Sequence, residues 1–146
     1  MPDPASSTLI QQYLAVFQDR GVQPEPVKEF CDDNHLVLFI PGLGYLLVAL
    51  SIEFPGLWHL DEMLVQKIQQ RSDSESQPLW MAFLIERRDG RGANGYILKD
   101  LVSSPVKREI ETNEGQFTIR EKRHLDSLRL ILSTEKQVDL LLRNRK

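Results

Sequence analysis

The stretch HLVLFIPGLGYLLVALSIEF, residues 35–54, decides how this chain folds. Its apolar stretch, Leu36 to Ile52, is interrupted by Pro41, Gly42 and Gly44 and falls short of the roughly 18 to 20 residues that a membrane span needs. It reads as two buried strands, His35 to Ile40 and Tyr45 to Phe54, joined as a hairpin by Pro41-Gly42-Leu43-Gly44. No contact with a membrane is expected.

Upstream of the hairpin, Leu9, Ile10, Tyr13, Leu14, Val16 and Phe17 recur at helical spacing, with Ser6, Ser7 and Thr8 as capping oxygens and Gly21 as a stop. Pro26 can open a short helix through Phe30, ahead of a polar Asp32-Asp33-Asn34 turn. Downstream, Asp61 and Glu62 favour a helix start, and Leu60, Met63, Leu64 and Ile68 give that helix an apolar stripe as it runs toward Arg71. Residues 72–77 read as a solvated loop and Leu79 to Ile85 as a strand. The segment Tyr96 to Leu101 is strand or short helix. Val106 to Thr112 and Gln116 to Lys122 flank Asn113-Glu114-Gly115 as a bulged hairpin. Leu125 to Leu132 is strand or helix, and Glu135 to Arg143 forms a closing helix with Val138, Leu141 and Leu142 inward.

These elements predict one α+β domain over residues 1–146: an antiparallel sheet of about five to seven strands with N-terminal, central and C-terminal helices. The 146 residues and 41% hydrophobic content match an independent core without staples. The lone Cys31 cannot form an internal disulfide, and the MPDPASST start has neither the basic nor the apolar region of a secretory leader. A cytoplasmic location is the default expectation.

Charge is divided unevenly. Residues 1–86 hold 4 Lys/Arg against 12 Asp/Glu, a balance of −8, and residues 87–146 hold 14 against 9, a balance of +5, which together make the net −3. Asymmetry of this kind points to a polyanion or an acidic partner.

No motif specifies a reaction. Gly90, Gly92 and Gly95 spell G-x-G-x-x-G after a strand, with Glu109 and Glu111 further on, but a dinucleotide site also needs a following helix within a βαβ unit. Only nine residues, rich in strand formers, separate Gly95 from Pro105, so the Gly90–Gly95 segment reads as a hairpin loop. Arg87, Arg88 and Arg91 still allow it to meet phosphate through charge. The residues two before each lysine are Pro26, Val65, Ile97, Pro105, Arg120, Thr134 and Asn144, which excludes the acid-x-Lys signature of metal-dependent nucleases. Cys31 and His35 have no second ligand pair to complete a zinc site, so no metal or cofactor is expected. A G-x-S-x-G elbow is absent, and the acidic neighbours of Cys31 disfavour its thiolate.

The remaining lead is the basic half. On a strand, Arg120 and Lys122 share a face opposite Ile119, so the Phe117/Ile119 face is buried and the basic face is wet. The expected function is therefore a non-enzymatic accessory or adaptor subunit. It docks on nucleic acid or an acidic partner through Arg87, Arg88, Arg91, Lys107, Arg108, Arg120, Lys122, Arg123 and Arg129. Aromatic interleaving is poor, which disfavours base stacking. A second reading is a protein-interaction module or chaperone-like homodimer using the 36–54 hairpin edge, with Leu43, Tyr45 and Trp58 at the interface. An enzyme of unrecognised type is third.

Overall fold

A computed structural model of the chain describes residues 4–31, 35–51, 56–86, 93–99, 111–113, 115–120 and 132–144. Helix α1 (Pro4–Asp19) begins on a proline, whose preset φ and missing N–H suit a first helical turn. The helix therefore takes in Ser6 to Thr8 where the sequence suggested caps. It stops at Gly21, whose φ of 75° lets Val22 N–H return to Phe17 O at 3.1 Å. A two-residue strand, β1 (Glu25–Pro26), and a 3-10 turn at Lys28–Phe30 lead into β2 (His35–Ile40).

Strands β2 and β3 (Gly44–Ser51) form the expected hairpin, in register from His35 opposite Ala49 to Ile40 opposite Gly44. Gly44 sits at φ 121°, and a Cβ there would collide with the Pro78 carbonyl, so this corner requires glycine. Beyond the hairpin come β4 (Leu57–Asp61) and α2 (Glu62–Ser74), capped by the Asp61 carboxylate accepting from Met63 N–H at 2.9 Å. The helix extends through Ser74, taking the first residues of the expected 72–77 loop.

Strand β5 (Leu79–Glu86) then lies beside β3 and parallel to it. The expected antiparallel sheet holds for the other pairings among the described strands, and this parallel pair departs from it: β4 and α2 make up the crossover that carries the chain back, and parallel neighbours need such a connection. Strands β6 (Ala93–Lys99) and β9 (Leu132–Ser133) complete a six-stranded sheet ordered β1-β2-β3-β5-β6-β9. A second sheet, β4-β8-β7, pairs β4 with the hairpin of β7 (Glu111–Asn113) and β8 (Gln116–Arg120). Helix α3 (Thr134–Arg143) follows β9, with Ser133 as its cap. The fold is α+β, with three α-helices and mostly antiparallel strands among the described residues. No described helix is long and apolar enough to cross a membrane.

Seven of the eight β3 residues are buried because the large sheet is covered on both faces. Tyr45, Leu47, Met81 and Phe83 face α2 and the second sheet, meeting Val65, Ile68, Trp58 and Ile119. Leu46, Val48, Trp80 and Leu84 face the opposite layer, meeting Tyr13 and Phe17 of α1 and Val138 and Leu141 of α3. Each such side chain contributes about 1.5–3 kcal/mol by leaving water.

That packing removes the proposed hairpin interface. Leu43, Tyr45 and Trp58 are only 2%, 4% and 2% exposed, and β3 is flanked by β2 and β5. All three belong to the cores, and the hairpin offers β3 no open edge. The outer edge of β2 is itself partly covered: Val27 N–H donates to Val37 O at 2.8 Å, and Val37 N–H donates to Cys31 Sγ at 3.4 Å. Cys31 thus has a structural place beside the sheet.

Two predictions follow from this packing. A Cβ on Gly95 would run into the Phe83 carbonyl and approach Leu84 Cδ2 at 2.9 Å. Gly95→Ala is expected to cost about 2–3 kcal/mol in urea denaturation, because the first obstacle is backbone. Helices α1 and α3 are tied by Arg20, whose Nε donates to Asp139 Oδ1 at 2.5 Å and whose Nη2 donates to Oδ2 at 3.4 Å. The Arg20 hydrogen bond holds the Asp139 carboxyl below its ordinary range. Stability from this pair is therefore present above the unfolded carboxyl pKa of about 3.9 and fades as pH falls through the lower folded value. A double-mutant cycle with Arg20→Gln and Asp139→Asn should show coupling at pH 7 that disappears once the pH has fallen below the lowered Asp139 pKa.

Candidate binding surface

Where β3 and β5 end, four parts of the chain meet. Ser51, the last residue of β3, pairs with Ile85 of β5, and its buried hydroxyl accepts from Leu57 N–H at 3.0 Å. Leu57 opens β4 and lies opposite Arg120, the last residue of β8. On the other side, Ile85 pairs with Asn94 of β6, and Asn94 pairs with Ser133, the cap of α3. Trp58 locks the two sheets together here by donating its indole N–H to Leu84 O at 3.1 Å. Arg120, Asn94 and the amino end of α3 consequently share one end of the large sheet.

Strand β8 alternates as the sequence reading required, with Phe117 and Ile119 buried and Gln116 and Arg120 exposed. The wet face of the second sheet carries His59, Asp61, Gln116 and Arg120, with Thr118 half-buried. Thr118 Oγ1 lies 3.4 Å from His59 Nδ1. Asp61 is used as the helix cap, which accounts for one of the acids beside His59.

Of the nine cations expected to form the docking surface, Arg120 alone falls within the described residues. Arg87, Arg88, Arg91, Lys107, Arg108, Lys122, Arg123 and Arg129 lie outside them. The strand residues that flank the 87–92 segment are described: Glu86 and Ala93 are paired in register, at the same sheet end as Arg120. Gly95 belongs to β6, which runs as a strand through Lys99, so Gly95 serves close strand approach where a dinucleotide site would need a helix terminus.

The opposite end of the sheet, where β3 and β5 begin, is different in charge. Glu25, Glu29, Asp73 and Glu75 gather there with Lys28 and Arg71. Tyr45 donates its hydroxyl to Glu75 Oε1 at 2.7 Å, and burial together with that bond pushes the phenol pKa up. Arg71 donates to Glu29 Oε1 at 2.5 Å, reaches Glu75 Oε2 at 3.8 Å and lies 5.2 Å over the Phe30 ring. Hydrogen bonding to Glu29 holds the guanidinium firmly charged. This knot fastens the end of α2 to the 3-10 turn and β3. Sequence reading missed it because Glu29, Tyr45, Arg71 and Glu75 have no common spacing.

Among the described residues, no group of three or more His, Cys, Asp or Glu is placed to hold a metal ion. Ser51→Ala is expected to lower stability by about 1–3 kcal/mol, since Leu57 N–H loses its acceptor where two sheets join. Faster amide exchange at Leu57 would mark the same loss, and unchanged stability and exchange would refute the role. No protein-family model matches this chain, and no curated protein shows significant similarity to it.

Proposed function

We propose that this protein is a non-enzymatic accessory or adaptor module that docks on a polyanion, nucleic acid above all, through its basic C-terminal half. The observation that carries the reading is the exposed position of Arg120 at the sheet end where the strands flanking the 87–92 segment also meet. Three further arginines belong to that segment by sequence. At the opposite sheet end Glu29 and Glu75 share Arg71. A long polyanion is repelled by an excess of carboxylate and attracted by an excess of cations, so a difference in charge between the two sheet ends would orient it.

Arg87, Arg88, Arg91, Lys107, Arg108, Arg120, Lys122, Arg123 and Arg129 are the proposed contacts. Fluorescence anisotropy with a labelled oligonucleotide tests them. Affinity is expected to fall linearly on a logarithmic salt scale, with a slope near −0.9 for each phosphate neutralised on a duplex. Arg120→Glu combined with Arg123→Glu should weaken binding by on the order of tenfold or more and flatten that slope by about 2. Lys28→Glu, at the acidic end, should leave both unchanged. Equal effects from the two ends would refute the assignment of the surface.

A further inference from the structure

We infer that helix α1 is a hinged cover, docked here over one apolar face of the large sheet and able to lift from it as a unit while the rest of the fold stays closed. The observation that carries this is the Tyr13 hydroxyl. Tyr13 is 1% exposed, and its hydroxyl has no hydrogen-bond partner among the described residues. Burial pushes the phenol pKa up, so the group keeps a proton for which the docked state supplies no acceptor. A hydroxyl enclosed in this way has lost its bonds to water without replacement, a penalty that a phenylalanine in the same place does not carry. That penalty belongs to the docked state alone, because lifting α1 returns the hydroxyl to water.

The bonds around α1 are divided to suit such a motion. Two of them travel with the helix: the Tyr13 and Phe17 rings meet edge to face with centroids 5.6 Å apart, and Arg20 Nη1 donates to Val16 O at 3.5 Å. Across to α3, Arg20 donates to Asp139, and the two side chains are 30% and 49% exposed, a setting in which an ion pair holds weakly. Burial of Tyr13 and Phe17 in one cluster with Leu38, Ile40, Leu46 and Val48 opposes lifting. The hinge is Gly21, at φ 75°, where a Cβ would meet nothing within 4 Å and the backbone has room to turn. Beyond it the chain is anchored, since Val22 is buried in the same cluster and Glu25 and Pro26 pair with Phe39 and Leu38 of β2. The moving part is therefore α1 with Arg20, and lifting it uncovers the sheet face formed by Leu38, Ile40, Leu46 and Val48.

Native-state amide exchange on the full chain, followed residue by residue through a series of low urea concentrations, tests the cover. A lone helix of 16 residues is marginal in water, so the α1 amides exchange once it leaves the sheet. They are expected to do so through an opening with a shallow urea dependence, while β3 and β5 exchange through global unfolding with a steep one. Tyr13→Phe should slow α1 exchange about tenfold by removing the stranded hydroxyl. Ser51→Ala, on the opposite face of the sheet, should speed exchange in β3 and β5 and leave that of α1 unchanged. Equal urea dependence in α1 and β3, or α1 exchange that Tyr13→Phe leaves unchanged or speeds, overturns the proposal.

Discussion

Strands β3 and β5 carry apolar side chains on both faces, and this two-sided burial organises everything else. A strand with one wet face would need a single covering layer. Here Leu47 and Met81 demand cover on one side while Leu46 and Leu84 demand it on the other. The chain supplies α1 and α3 for the second face, and α2 with the β4-β8-β7 sheet for the first. Because β3 and β5 run parallel, the segment between them has to travel the length of the sheet, and that requirement puts α2 and β4 where they are.

The same pair of strands gives the molecule its polarity. At the ends where β3 and β5 start, Glu29 and Glu75 share Arg71, and a ring and a phenol complete the knot. Exposed ion pairs of this kind contribute little individually, but several partners on one guanidinium restrict the geometry of the α2 terminus. At the ends where β3 and β5 finish, the chain instead presents Arg120 and the flanks of an arginine-bearing segment.

The glycine motif shows how spacing misleads without context. Gly90, Gly92 and Gly95 satisfy a dinucleotide pattern by count. Gly95 is needed because the backbone of Phe83 leaves no room for a Cβ on the neighbouring strand. Close strand approach and phosphate approach both exclude a side chain, so the residue type cannot distinguish them.

Local periodicity, caps and turn glycines suffice to read α1, α2 and α3, the β2–β3 and β7–β8 hairpins and the alternation of β8, and residue-level patterning separates the acidic and basic halves. Long-range packing, in contrast, is what makes β5 return parallel to β3, places Leu43, Tyr45 and Trp58 in the cores and makes Leu57–Asp61 a strand of a second sheet. Those outcomes depend on which surfaces cover which. The sequence reading set Trp58 at an interface, yet here it reaches a carbonyl 26 residues away and is sealed between two sheets. Long-range burial of that kind leaves no periodic trace, since the partners are chosen by topology and not by spacing.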